Sequence, residues 1–156
     1  MAYIGAGRLD QPLEVLELRE TASGAWEWVT LRQAWGQVEQ TAKTNLFSKV
    51  GVGARDAAIV IRRQTLTLHN ALRWRGQHLF LTSITDRGRN HLDVGAALVE
   101  PDEVRLREDE TTKTMTFPGV LTEKYARHEQ EWPMSVNELG LVLVIPKAIT
   151  LRPGCL

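Results

Sequence analysis

Residues 13–18 read Leu13-Glu14-Val15-Leu16-Glu17-Leu18, and the fold follows from how this stretch is parsed. Leu13 and Val15 share one parity, Leu16 and Leu18 the other, with Glu14 and Glu17 between them. A period of two marks a strand with a buried face, and the change of phase between Val15 and Leu16 is what a bulge in a twisted strand would leave. The next apolar run, residues 26–39, sets Trp26 and Trp28 on one parity and Val29, Leu31 and Trp35 on the other. A long strand that uses both faces is a device of barrels. Trp28 and Trp35 sit mid-strand and are expected in the core, whereas Trp26 and Trp132 lie near element ends, where an aromatic is as apt to anchor an interface.

Working outward, residues 57–63 form a third strand around the β-branched Ile59 and Ile61, stopping at Arg62 and Arg63. Residues 72–75 and 78–84 form a hairpin about Arg75-Gly76-Gln77, and residues 86–90 turn the chain into a last strand at 92–99. Short strands at even spacing with polar turns predict a mainly β chain, a small antiparallel β-barrel over residues 1–100. Residues 41–56 break the pattern: Lys43, Lys49, Arg55, Gly51 and Gly53 are mixed with scattered apolar residues, too long for a tight turn, so a long loop is predicted between strands 2 and 3. After Pro101 the composition changes again. Residues 101–156 read as a C-terminal extension or arm, with a charged stretch at 103–114, a short helix over 123–132 from the Glu123/Arg127 spacing and the stop at Pro133, and a strand at 139–145.

Composition narrows the function. Lys plus Arg equal Asp plus Glu at 19 each, so no global field draws the chain to nucleic acid or to an anionic membrane. A near-zero net charge favours association, which suits a subunit of an assembly. The single cysteine, Cys155, allows no internal disulfide and no zinc site built on two cysteines. No apolar stretch approaches the ~20 residues of a membrane-spanning helix, and residues 1–10 lack the pattern of a signal peptide, so a soluble product of the cytoplasm is expected. Gly5-Ala6-Gly7 and Gly51-Val52-Gly53 do not continue into a phosphate-binding loop. His69, His78, His91 and His128 are dispersed, and no nucleophile elbow is present. The reading is therefore a non-enzymatic chain with no catalytic, metal or cofactor site and no cofactor requirement.

The order of elements then carries a resemblance. Gly7-Arg8-Leu9-Asp10 leads into the first strand, followed by Trp28-Val29, by Ala34-Trp35-Gly36-Gln37-Val38, by the loop, by Ile59-Val60-Ile61-Arg62-Arg63, and by the hairpin Trp74-Arg75-Gly76-Gln77-His78-Leu79-Phe80-Leu81. Over about residues 7–100 this resembles the head-tail adaptor, head-closure or stopper family of tailed bacteriophages. No one motif is diagnostic; order and spacing together carry the likeness. His78 stands where the family hairpin often has an aromatic, and most members end soon after the last barrel strand.

What the resemblance implies is a β-barrel made in the bacterial host cytoplasm and assembled in the virion neck as a homo-oligomeric ring, on the order of six or twelve copies. Its partners would be portal or adaptor proteins above, and tail terminator or tail tube proteins below. Genomic double-stranded DNA would pass through the channel, bound weakly and without sequence preference, and no membrane is involved. The channel loop maps to Lys43, Asn45, Leu46, Phe47, Lys49, Val50, Gly51, Val52, Gly53 and Arg55. Subunit-interface candidates are Trp26, Arg62, Arg63 and Trp132. Two alternatives stand beside this reading: a tail-terminator subunit, which would carry an amphipathic helix on a sheet, and an oligonucleotide-binding barrel, which would bind single strands with a steep salt dependence.

Overall fold

The computed structural model describes residues 8–44, 55–107, 114–125, 129–131, 134–136 and 139–151. Six strands, β1 (Gln11–Glu20), β2 (Trp26–Thr44), β3 (Arg55–Arg62), β4 (Asn70–Trp74), β5 (Gln77–Arg87) and β6 (His91–Val99), close into an antiparallel barrel in the order β1-β2-β3-β6-β5-β4. The predicted barrel is thus the observed one. The long strand β2 makes closure feasible by changing partners. Its first half pairs with β1 and its second with β3, and Gly36 stands at the exchange, opposite both Gln11 and Ile61. A Cβ built there would lie 2.8 Å from Leu13 Cδ1 and 2.8 Å from Ile61 Cγ2, so the close approach of three strands needs glycine.

The barrel interior is filled. Leu13, Val15, Ile59, Ile61, Leu72, Leu79, Leu81 and Val94 form one buried cluster, and Leu66 and Leu68 of the β3–β4 connection pack against it. Arg32 ties that connection down, its Nε donating to Gln64 Oε1 at 2.8 Å and its Nη2 to the Thr65 carbonyl. Trp74, also inside, donates its indole N–H to Gln11 Oε1 at 3.3 Å, and the Arg75 guanidinium lies 4.6 Å above its ring. The β4–β5 turn has positive φ at both central residues, Arg75 (51°) and Gly76 (77°), as a two-residue hairpin requires.

The phase change in β1 has a different cause from the one expected. The ladder shifts register between Val15 and Leu16, but the extra residue is Leu31 on β2, since Val15 faces Arg32 and Leu16 faces Thr30. β1 itself alternates without a break. Leu13 and Val15 point into the barrel, whereas Leu16 and Leu18 lie on its outer face, and Leu18 is buried there against Phe117. The strand is buried from one side in its first half and from the other in its second.

What covers that outer face is the chain after Pro101. β7 (Asp102–Leu106), β8 (Met115–Tyr125) and β11 (Leu139–Val144) form a three-stranded sheet in the order β11-β8-β7, and β9 (Glu129–Glu131) pairs with β10 (Met134–Val136). Phe117 and Ile149 meet Leu18 in a second buried cluster that Trp26, Trp28, Val104, Leu106 and Met115 join. Val144 covers Phe80, Ala97 and Val99 on the outside of β5 and β6. The helix expected over residues 123–132 is not formed: 123–125 finish β8, paired with β11, and 129–131 are β9. Cross-strand pairing overrides the i,i+4 charge spacing, which an extended charged segment produces equally well. The charged stretch at 103–114 holds β7, whose Val104 and Leu106 are core contributors. Pro118 is accommodated in β8 because β7 pairs with residues 115–119 and β11 only with 120–125, so the proline nitrogen meets no second ladder.

Candidate functional site

Strand directions assign the connections to two ends of the barrel. At one end lie the β1–β2 turn, the β3–β4 connection and the β5–β6 turn; at the other lie the β4–β5 turn, the segment joining β2 to β3 and the exit from β6. The loop begins later and ends earlier than expected. β2 continues to Thr44 and β3 starts at Arg55, which face each other in the ladder after an irregularity at Gln40/Thr44. Lys43 is therefore a strand residue and Arg55 the exposed first residue of β3. Asn45, Leu46, Phe47, Lys49, Val50, Gly51, Val52 and Gly53 lie outside the described residues, as does Trp132. Arg62 and Arg63 are at the opposite end of β3 from Arg55, so the structure does not bring the described loop candidates, Lys43 and Arg55, together with the arginine pair.

Arg63 is engaged, with its Nη2 2.8 Å from Asp86 Oδ1 and 3.3 Å from the Gly88 carbonyl, bracing the β5–β6 turn. Arg62 is exposed and has no ion-pair partner among the described residues. Register adds a surprise. Gly36 pairs with Ile61 at the end rung of the β2–β3 ladder, so Trp35 and Arg62 each stand one residue beyond that rung, both at outward positions. Trp35 is 56% exposed, against the expectation that it sits in the core. The physical reason is parity: its neighbours Ala34 and Gly36 take the inward positions, where only small residues fit against Leu13 and Ile61. Leu31 and Val29 of the same strand are each 40% exposed.

Trp26 lines a cleft of about 370 Å³ between the start of β2 and the C-terminal sheet, together with Trp28, Phe117, Pro118 and Pro101. Glu27, Asp102 and Glu103 stand on its rim. Glu103 is bonded to Arg105 at 2.7 Å, while Glu27 and Asp102 have no partner among the described residues. Behind the cleft, Trp28 packs on His78, whose Nε2 is buried without a hydrogen bond. Burial, and secondarily the Arg73 guanidinium, lower the His78 pKa to about 4. Arg73 itself is 3.0 Å from Glu14.

No protein-family model matches the chain, and no curated protein matches it. Among solved structures, a chain from a structure titled "Virion of native gene transfer agent (GTA) particle" superposes with a TM-score of 0.49 at 18% identity, covering 59% of this chain and 96% of that one.

Proposed function

We propose that the chain is a structural subunit of a tailed-phage neck, forming a ring that joins the portal or adaptor complex of the DNA-filled head to the tail terminator or tail tube. The observation that supports it is a closed antiparallel barrel, the fold that the resemblance implies, with β2 running past β1 to Thr44 so that the β2–β3 segment leaves from one end. The barrel interior is packed with Leu, Ile and Val, so a DNA channel would have to be formed by the ring and not by the barrel. Trp35, Leu31 and Val29, exposed among the described residues, fit a chain that buries β2 in an assembly. The role is architectural and non-enzymatic, and contact with genomic DNA is weak and non-specific because the chain carries no net charge.

The deciding experiment images purified portal complexes, by negative stain and then by particle reconstruction, with and without this protein. A ring of added density on the tail-facing side of the portal is the expected result. Portal complexes unchanged by a molar excess of the chain would overturn the neck assignment.

A further inference from the structure

We infer that copies of this chain join head to tail, the Trp35/Arg62 ridge of one seating in the cleft between β2 and the C-terminal sheet of the next. The inference rests on the ring reading and names its interface. The ridge combines an aromatic that is 56% exposed with an exposed guanidinium that has no ion-pair partner among the described residues, each one residue beyond the Gly36–Ile61 rung that joins β2 and β3. Trp and Arg are among the residue types that dominate protein interfaces, and here both are exposed among the described residues.

The cleft is complementary in both respects. Its wall is aromatic and prolyl, from Trp26, Pro101 and Pro118, and its rim holds the carboxylates Glu27 and Asp102, which have no partner among the described residues. A second copy is the occupant because this chain itself supplies the matching pair, a flat aromatic and a cation. The ridge and the cleft are different surfaces of one subunit, so the contact is heterologous, and repeating it generates either a closed ring or an open filament. The cleft exists only where β7 and β8 lie against Trp26 and Trp28, which gives the C-terminal sheet a part in assembly.

The test is sedimentation velocity on the full chain, with circular dichroism and thermal midpoint as controls for folding. Trp35→Ala, Arg62→Glu and the pair Glu27→Arg/Asp102→Arg each change exposed or half-buried side chains and should each weaken self-association about tenfold or more. Combining Arg62→Glu with Glu27→Arg/Asp102→Arg in one chain should restore it, since the charges are exchanged and the apolar contact is kept. A wild-type chain that stays monomeric up to its solubility limit, or single variants that associate as the wild type does, would overturn the proposal. The two readings fail separately. A charge exchange that restores association in a chain that ignores portal complexes sinks the neck role alone; rings that bind portals yet are indifferent to the variants sink this interface alone.

Discussion

The Trp28 indole stands 5.2 Å from the His78 imidazole, centroid to centroid, with the rings tilted by 50°. This contact lies on the outside of β5, next to the apolar cluster that joins barrel and C-terminal sheet, and the imidazole is held there neutral. Unfolding returns His78 to its ordinary value of 6.5, while in the fold it stays near 4. Between these values the unfolded chain binds the extra proton, so stability is full above about pH 6.5 and falls as the pH drops toward 4. The difference corresponds to roughly 3 kcal/mol at most. Thermal midpoints from pH 7.5 to 4.5 should fall less for His78→Phe than for the wild type; parallel curves would show that the imidazole is not the titrating group.

Gly36 is the second point of leverage. Any side chain there meets Leu13, Ile61 and the Val60 carbonyl at under 3 Å, and the carbonyl is backbone that cannot swing away. Gly36→Val should cost about 1–3 kcal/mol or more through overpacking, even though valine is the better strand former. Urea denaturation measures it, and a valine variant as stable as the wild type would mean that β1 and β3 do not converge on β2.

Phe117 is fully buried where the C-terminal sheet meets Leu18. Phe117→Ala should cost on the order of 3–5 kcal/mol, and the loss should fall unevenly. The barrel interior is built wholly from residues before 100, so amides of β3 and β6 are expected to stay protected from hydrogen exchange while those of β7 and β8 lose protection. Ending the chain after Glu100 goes further: the barrel should keep its β signature but expose Leu18, Trp28, Phe80 and Val99, and associate non-specifically. Uniform loss of protection across the whole molecule in Phe117→Ala would show a single cooperative unit instead.

The parts legible in the sequence were those decided locally. The alternation about Ile59 and Ile61, the Arg75-Gly76 turn and the long β2 each follow from period and turn chemistry within a few residues, and together they suffice for a barrel. Which face of β2 lies inside was not local. Trp35 read as core because it is mid-strand, yet the small residues flanking it, Ala34 and Gly36, were the available sign that the inward positions had no room. The strand character of residues 123–125 depends on pairing with β11, some fifteen residues later, and the doubled burial of β1 depends on Phe117, a hundred residues away in sequence. The placement of Trp35 and Arg62 beyond one shared rung needs the register of two strands, which no periodicity reveals.

The segment between β2 and β3 is the remaining test of function. Thr44 and Arg55 face each other at the last rung of the ladder, so the strands reach the segment already paired, and replacing residues 45–53 by a short glycine-containing turn should leave the barrel intact. The sequence of the segment combines Lys49 with Leu46, Phe47, Val50 and Val52, and on the neck-ring reading proposed above the charge would face passing phosphates and the apolar groups would meet equivalent segments of neighbouring copies. On that reading each contact would be repeated by ring symmetry, so a modest attraction per copy would multiply into an effective hold on DNA. In phage particles carrying the deletion, heads are expected to assemble and to bind tails, with DNA lost on standing; nuclease-sensitive DNA released from purified particles is the measurement. Particles that join tails and retain DNA at the wild-type level would leave the segment with no part in retention and confine the protein's role to connecting head and tail.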